Sequence, residues 1–244
     1  MGYLCIHSLS ERKHYNGGPA IRRPVPGRQP VKTRFASREV LGLTRAEFAV
    51  LRRLSSPGKI QDFLSAMPSN FEIGGQTSLS VREVIRQRRA HCIEGAMLAA
   101  CALWVHGEPP LLLDLRAERD YDHVVALFRR GRFWGAISKT NPPLLRWRDP
   151  VYRNLRELAM SYMHEYANKR GQKTLRSYSR PFDLRTVDPR LWVTNSRNCW
   201  NIGETIDAIR HYPLVTKRQV RVLRLRDAME RKAGALLEHR RPRK

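Results

Sequence analysis

Residues 89–105 read RAHCIEGAMLAACALWV, and this stretch decides the architecture of the chain. From Cys92 to Val105 it is dense in alanine, leucine and methionine and has almost no polar face. A helix that is apolar on all sides has to be covered by other elements. The stretch therefore predicts a buried central helix that begins at Cys92.

Three short helices are predicted ahead of the central helix. Residues 44–47 (TRAE) and 80–83 (SVRE) each fit a capping box, in which a hydroxyl and an acid three residues later satisfy the first N–H groups of a helix. Ser56-Pro57 is typical of a cap followed by a first-turn proline. The helix that follows it has an apolar stripe formed by Ile60, Phe63, Leu64 and Met67.

Strands are predicted after the central helix. Leu111–Leu115 is a short apolar run, His123–Phe128 is apolar on both faces, and Phe133–Ser138 follows a turn at 129–132. The whole pattern predicts an α+β fold in which the buried helix packs on a small antiparallel sheet. Helical spacing returns at 151–167, with a buried stripe of Val151, Leu155, Leu158, Tyr162 and Tyr166.

The chain divides into three parts by composition. Residues 1–40 are predicted to be a flexible basic arm, with order beginning near Thr44. Residues 41–170 form the core, and residues 171–244 form a basic segment whose terminal helix, about 217–239, packs on the core. The inward face of that helix is predicted to be Val222, Leu225, Met229, Ala233 and Leu236.

The net charge of +24 lies mainly in the flanks. Residues 1–40 hold eight basic and two acidic residues and residues 172–244 hold eighteen and seven, whereas residues 92–150 hold eight and seven. A basic surface attracts polyanions through counterion release. The basic flanks have two interpretations. The first is weak binding of nucleic acid, and the second is that arginine simply occupies positions where any solvated charge is tolerated.

The cysteines favour a reducing compartment. Cys5, Cys92, Cys101 and Cys199 include no C-x-x-C pair, and Cys92 and Cys101 fall on opposite sides of one helix. No apolar run approaches the roughly 20 residues of a membrane span. We expect a cytoplasmic protein that makes no use of a membrane.

Cys92 is the first candidate for chemistry. It follows a basic run at 86–89 and opens a helix, and both features lower the pKa of a thiol. A thiolate at this position is a nucleophile, and the first-turn N–H groups are suited to holding an oxyanion. The alternative is that Cys92 is a small core residue, as most buried cysteines are.

His123 and Ser138 are the second and third candidates. His123 begins a strand, and a hairpin turn centred on Arg130-Gly131 places it directly opposite Ser138. Ser138 then sets the tautomer of the imidazole, which is the third role in a nucleophile–base–orienter arrangement. A histidine at a strand end also has a purely structural interpretation.

Three segments together resemble the transglutaminase-like superfamily. They are RAHCIEGA (89–96), DHVVALF (122–128) and GRFWGAIS (131–138), in the family's order: a cysteine heading the central helix, then a histidine, then a third residue on the next strand. The resemblance covers roughly residues 55–165. It implies a papain-like core and thiol acyl chemistry on amide or ester bonds, with Cys92 as nucleophile and His123 as general base.

The third position departs from the family pattern. The family usually has an aspartate where this chain has Ser138, and a serine orients an imidazole without stabilising its cation. Asn141 and Asp149 lie downstream and are alternative third residues, although neither matches the motif.

Three functions remain open from the sequence. The first is a thiol-dependent hydrolase or acyltransferase of protease, amidase or transglutaminase type, acting on a protein, peptide or small amide without a metal or an organic cofactor. The second is a non-catalytic transglutaminase-like scaffold or binding module. The third is a nucleic-acid-binding protein, against which the sequence shows no helix-turn-helix, zinc knuckle or aromatic-studded basic strand.

Overall fold

A computed structural model describes residues 33–241 of the protein. This part of the chain contains nine α-helices and seven β-strands. The helices are α1 Arg38–Leu41, α2 Arg45–Arg53, α3 Pro57–Ser65, α4 Val81–Gln87, α5 Cys92–Val105, α6 Leu155–Met160, α7 Trp200–Ala208, α8 Lys217–Arg221 and α9 Ala228–Gly234. The strands are β1 Leu111–Ala117, β2 His123–Arg130, β3 Phe133–Ile137, β4 Arg148–Tyr152, β5 Leu175–Ser179, β6 Phe182–Asp183 and β7 His211–Pro213.

The strands form one antiparallel sheet in the order β4-β3-β2-β1-β5-β7, with β6 also paired to β1. Alternate residues of β2 enter two separate cores, as the pleat of a strand requires. Val124 and Ala126 pack with the side chains of α5, and Val125 and Leu127 pack with those of α6. The α+β class predicted from the sequence is confirmed, with a sheet larger than expected.

The central helix lies where the sequence predicts it. All fourteen residues of α5 are buried. Helices α2, α3 and α4 cover it on one side, and strands β1 and β2 cover it on the other. An apolar helix of this kind is stable only under such cover, because its own sequence offers no face to water.

Helices α2, α3 and α4 begin at the predicted caps. The side chains of Thr44, Ser56 and Ser80 accept hydrogen bonds from the backbone N–H groups three residues later. Glu47 returns a carboxylate to the N–H of Thr44 at 2.7 Å, which completes the capping box. The box predicted at 80–83 is only half formed, because the carboxylate of Glu83 accepts from Arg86 and Gln87 instead. The capping hydroxyl is therefore what fixes the start of all three helices.

The β2–β3 hairpin differs from the predicted register by two residues. Arg130 pairs with Phe133 and Ala126 with Ile137, so the turn is Gly131-Arg132 and not Arg130-Gly131. Gly131 has a φ of +57°, which a glycine adopts without strain. A shift of two residues keeps every side chain on its predicted face, because the side-chain period of a strand is two.

Connectivity places the first residues of α5 and β2 at the same end of the molecule. The fourteen residues of α5 span about 21 Å, and the seven residues of β1 span about 23 Å. Strand β1 follows α5 in the chain and packs on it, so β1 runs back along the helix and ends near the residue where the helix begins. Leu115, near the end of β1, pairs with His123. Cys92 and His123 therefore both lie at this end.

The predicted terminal helix at 217–239 is wrong. The segment forms the two short helices α8 and α9, because the N–H of Arg226 donates to the carbonyl of Gly171 instead of continuing a helix. The buried Arg226 guanidinium donates to the carbonyl of His164 at 2.9 Å. All five residues predicted to face inward are exposed, namely Val222, Leu225, Met229, Ala233 and Leu236.

The predicted helix at 151–167 is partly wrong. Val151 belongs to the edge strand β4 and is exposed, and α6 begins only at Leu155, where Asn154 caps it. Leu158, Tyr162 and Tyr166 are buried as predicted. Edge-strand pairing with β3 takes the first residues of this segment out of the helix.

Ordered structure also begins earlier than Thr44. The N–H of Ala36 donates to the carbonyl of Trp104 at 3.1 Å, and the Trp104 indole donates to the carbonyl of Thr33 at 2.9 Å. Helix α1 follows at Arg38–Leu41. Most of the predicted basic arm, including Cys5, lies outside the described residues.

Strands from the C-terminal segment complete the sheet. β5 pairs with β1, and β7 pairs with β5. Between residues 33 and 241, none of the helices combines the length and the apolar character that a membrane crossing requires.

Candidate active site

The loop between α4 and α5 is held by backbone hydrogen bonds and places Cys92 at the start of α5. Helix α4 ends at Arg88 in the left-handed region, with a φ of +52°. The backbone of Ala90 then bonds to the 68–70 segment, accepting from the N–H of Asn70 at 3.0 Å. The chain turns there into α5, so the position of Cys92 depends on tertiary contacts on both sides of it.

The segment after β3 packs directly on the first turn of α5. Gly95 meets Lys139 so closely that a Cβ added to the glycine would lie 2.5 Å from the Cβ of the lysine. The Lys139 ammonium donates to the carbonyl of Met67 at 2.5 Å. This contact brings the residue beside Ser138 onto the first turn of the helix that Cys92 heads.

His123 and Ser138 are hydrogen-bonded, as the sequence predicts. Nε2 of His123 lies 2.8 Å from Oγ of Ser138, and Oγ of Ser138 lies 2.5 Å from the carbonyl oxygen of Leu145. A carbonyl only accepts, so the single hydroxyl proton goes to Leu145 and Oγ accepts from His123. Nε2 therefore carries the proton, and Nδ1 is the nitrogen left with a lone pair in the neutral ring.

The backbone of Ser138 is held by a residue of another element. The side-chain amide of Gln61 in α3 accepts from the N–H of Ser138 and donates to its carbonyl, at 2.9 Å in each case. The two-residue register shift makes Ser138 a diagonal rather than a direct neighbour of His123, and an imidazole is long enough to reach across. The predicted partner is correct although the predicted register was not.

The two alternative third residues lie elsewhere. Asn141 exchanges hydrogen bonds with the backbone of His239, donating at 2.9 Å and accepting at 2.8 Å. Asp149 is exposed on β4 and accepts from the indole of Trp147 at 2.9 Å. Both side chains are occupied by these bonds, and Ser138 is the residue that binds the His123 ring.

Cys92 and His123 are each only 1% exposed. Helix α5 packs against β2 through Val124 and Ala126. His123 pairs with Leu115, which belongs to the α6 core, so the His123 ring has to reach Cys92 around the end of the strand. The direct pairing of the Cys92 sulfur with Nδ1 of His123 stays a prediction. A substrate that reaches this thiol has to displace groups that cover it.

Sequence reasoning missed His91 as a site residue. Its ring is buried beside Cys92, with Nε2 2.9 Å from the carbonyl of Thr77 and 3.2 Å from Oε1 of Glu94. Glu94 is fully buried and accepts a hydrogen bond from the backbone N–H of His91 at 2.9 Å. The signal available was a histidine directly next to the candidate nucleophile.

A second polar cluster was also missed. Carboxylate oxygens of Asp114, Asp122 and Asp207 lie within 4.8 Å of one another, close enough to share a metal ion. Nε2 of His211 lies 3.0 Å from Asp114, and Arg116 lies 3.2 Å from Asp207, so two basic groups already face the cluster. Burial, followed by the charge of Asp114, raises the pKa of Asp122 to about 8.

The aspartate in the middle of β1 was the signal for this cluster. Asp114 interrupts an apolar strand, between Leu113 and Leu115. A carboxylate in such a position needs partners from another part of the chain, since burial without them is costly. The sequence does not say which residues these are, because Asp207 and His211 are about ninety residues away in the chain.

The other described cysteines are unsuited to nucleophilic chemistry. Cys92, Cys101 and Cys199 are thiols rather than half-cystines. Burial raises the pKa of Cys101, and burial together with the charge of Glu94 raises the pKa of Cys199 to about 12. Cys101 is fully buried in the core.

No protein-family model matches this chain, and no curated protein matches it.

Proposed function

We propose that the protein is a thiol-dependent acyltransferase or hydrolase with a transglutaminase-like, papain-like core, acting on an amide or ester bond. The single observation that carries the proposal is the His123–Ser138–Leu145 hydrogen-bond chain. It fixes the proton of His123 on Nε2 and leaves Nδ1 as a base, at the end of the sheet where α5 begins.

The proposed reaction uses groups from two elements, α5 and β2. Nδ1 of His123 takes the thiol proton of Cys92, and the sulfur attacks the carbonyl carbon of the substrate. The oxyanion is held by N–H groups of the first turn of α5, which have no partner within the helix itself. The leaving amine or alcohol takes the proton from His123, and water or an amine then cleaves the thioester and regenerates the thiol.

A non-catalytic scaffold is the second candidate function. Two observations favour it: Cys92 and His123 are both 1% exposed, and the third residue is a serine, which does not stabilise an imidazolium as a carboxylate does. In that role Cys92 is a core residue, and the hydrogen-bonded histidine only stabilises the hairpin.

The basic surface gives little support to nucleic-acid binding. Many arginines of the described chain are paired with acids of the same chain, among them Arg82 with Glu47, Arg146 with Glu238, Arg176 with Glu118, Arg185 with Asp183 and Arg190 with Asp188. Such pairs reduce the positive charge that is left for a phosphate backbone.

Acylation of the intact protein by p-nitrophenyl acetate tests the proposal. An enzyme of this class shows a burst of nitrophenol, and mass mapping finds an acetyl group on Cys92 that is lost with time. His123→Ala should slow acylation by about 100-fold or more, which is the usual contribution of a general base. Cys199→Ser is the matched control and should leave the burst unchanged.

The same experiment identifies the scaffold. If the folded protein is never acetylated at Cys92, or is acetylated equally fast in His123→Ala, the enzymatic proposal is wrong and the scaffold becomes the function that the structure supports. Thermal melts of each variant show whether a lost burst reflects lost chemistry or lost folding.

A further inference from the structure

His91 precedes Cys92 and has one ring nitrogen fully engaged. Nε2 lies 2.9 Å from the carbonyl of Thr77 and 3.2 Å from the carboxylate of Glu94. Both of these groups accept hydrogen bonds, so Nε2 carries a proton. Nδ1 is buried and has no nitrogen or oxygen partner among the described residues.

Glu94 is an ionised carboxylate inside the protein. It accepts from the N–H groups of Leu79 and His91, at 2.8 and 2.9 Å. It also accepts from the side chains of Thr77, at 2.9 Å, and Asn70, at 3.0 Å. Burial by itself raises the pKa of this carboxyl, but the charge of His91 and these donors outweigh it, and the pKa is lowered.

His91 is correspondingly held as a cation. Burial by itself lowers the pKa of an imidazole, but the charge of Glu94 and the adjacent Cys92 side chain raise the pKa of His91 well above 6.5. Because Nε2 is engaged with Thr77 and Glu94, Nδ1 is the nitrogen available to Cys92. A protonated Nδ1 donates to sulfur, and it does so most strongly when the sulfur is a thiolate.

We propose that His91, held as an imidazolium by Glu94, stabilises the Cys92 thiolate and positions its sulfur. Glu94 thereby supplies, from the first turn of α5 itself, the carboxylate that position 138 lacks. His91 is a positioning residue that keeps its own charge, and the proton that Cys92 loses is held on Nδ1 of His123 until the leaving group takes it. The role of this thiolate in catalysis rests on the proposed function. The protonation state of the Cys92 thiol can be measured independently of any activity.

Other charged groups around His91 act in the same direction or lie farther along the helix. Glu72, from the loop before α4, lies 3.7 Å from Nε2 and adds a second acid, although burial raises its pKa. Lys139 packs on Gly95 and faces the helix from the end of β3. Burial lowers its pKa to about 8, so Lys139 still carries its positive charge at pH 7 and loses it only in the alkaline range.

Ultraviolet absorbance of the thiolate tests the proposal without requiring a reagent to enter the site. The full chain carrying Cys5→Ser is titrated with base, and the same chain carrying Cys92→Ser is the blank. The pKa values of Cys101 and Cys199 are raised, the latter to about 12, so absorbance that appears near neutral pH belongs to Cys92. We expect its midpoint below the usual value of about 8.5 for a free thiol.

Substitution of His91 should move that midpoint upward. His91→Gln is expected to raise it by about one unit or more, a tenfold loss of thiolate at a fixed pH well below the midpoint. Glu94→Gln should move it in the same direction. His106→Gln, at the other end of α5, is the matched control and should not move it. Circular dichroism confirms that each variant is folded.

A measurement on the unsubstituted protein covers the case in which a variant does not fold. Nitrogen-15 spectra of labelled histidine should show both ring nitrogens of His91 protonated at pH 7. A neutral His91 at pH 7, or a folded His91→Gln whose thiolate midpoint is unchanged, overturns the inference. If the midpoint follows His91 but p-nitrophenyl acetate never acylates Cys92, the proposed function fails and this inference stands.

Discussion

Removal of the Ser138 hydroxyl gives the sharpest test of the geometry at the candidate site. Ser138→Ala deletes an acceptor 2.8 Å from Nε2 of His123 and a donor 2.5 Å from the carbonyl of Leu145. Both partners are left in a largely buried setting. Each lost hydrogen bond costs about 1 kcal/mol net, and a stranded buried group costs about 1–3 kcal/mol.

We therefore expect Ser138→Ala to lower the free energy of unfolding by about 2–4 kcal/mol. The assay is urea unfolding by linear extrapolation, with a shift in midpoint and an unchanged slope. Ser55→Ala, at an exposed serine, is the control and should change stability by less than about 0.5 kcal/mol. A Ser138→Ala variant as stable as this control refutes the hydrogen-bond chain, and with it the assigned tautomer of His123.

The same chain explains why an aspartate does not simply replace Ser138. An ionised carboxylate accepts from His123 but does not donate to the Leu145 carbonyl, so two acceptors would face each other. Ser138→Asp should be less stable than Ser138→Ala at neutral pH. It should recover relative to Ser138→Ala as the pH falls, because the protonated acid regains a donor. Greater stability at neutral pH than at acid pH would contradict this reasoning.

Three further predictions concern the packing around the site. Gly95→Ala should destabilise the protein by about 1–3 kcal/mol, because the added Cβ would lie 2.5 Å from the Cβ of Lys139. Gly58→Ala is the control: its Cβ would have nothing within 4 Å, and the variant should be more stable by about 0.5–1 kcal/mol. Equal effects of the two substitutions in thermal melts would argue against the close contact. The pKa of Lys139 is lowered from 10.5 to about 8, so between these pH values the unfolded chain binds more protons than the folded chain. The free energy of unfolding should therefore rise with pH across this range, and Lys139→Met should lack the rise. A Lys139→Met variant that keeps the rise would show that another group causes it. Arg226→Ala should lower the free energy of unfolding in urea by about 2–4 kcal/mol, since the buried guanidinium donates to a backbone carbonyl. Arg224→Ala, at an exposed arginine, should change it by almost nothing. The reverse order would show that Arg226 does not hold the C-terminal segment in place.

The sequence by itself determined the local features of this protein. The capping hydroxyls at Thr44, Ser56 and Ser80 fixed three helix starts, because a cap acts on N–H groups only two or three residues away. The apolar composition of 92–105 fixed a buried helix, and alternation fixed the faces of the hairpin strands. The partnership of His123 with Ser138 also followed, since a two-residue error in register does not change a face.

Only the tertiary structure decided features that depend on residues far apart in the chain. The terminal segment has an amphipathic pattern, yet the backbone bond from Arg226 to Gly171 breaks its helix and leaves its apolar side chains exposed. The carboxylate that holds His91 could not be distinguished from an ordinary first-turn acid in the sequence. Its charged state depends on donors from Asn70, Thr77 and Leu79, which meet only when the loop before α4 folds against α5. Burial and charge balance are sums over neighbours in space, and sequence order does not give those neighbours.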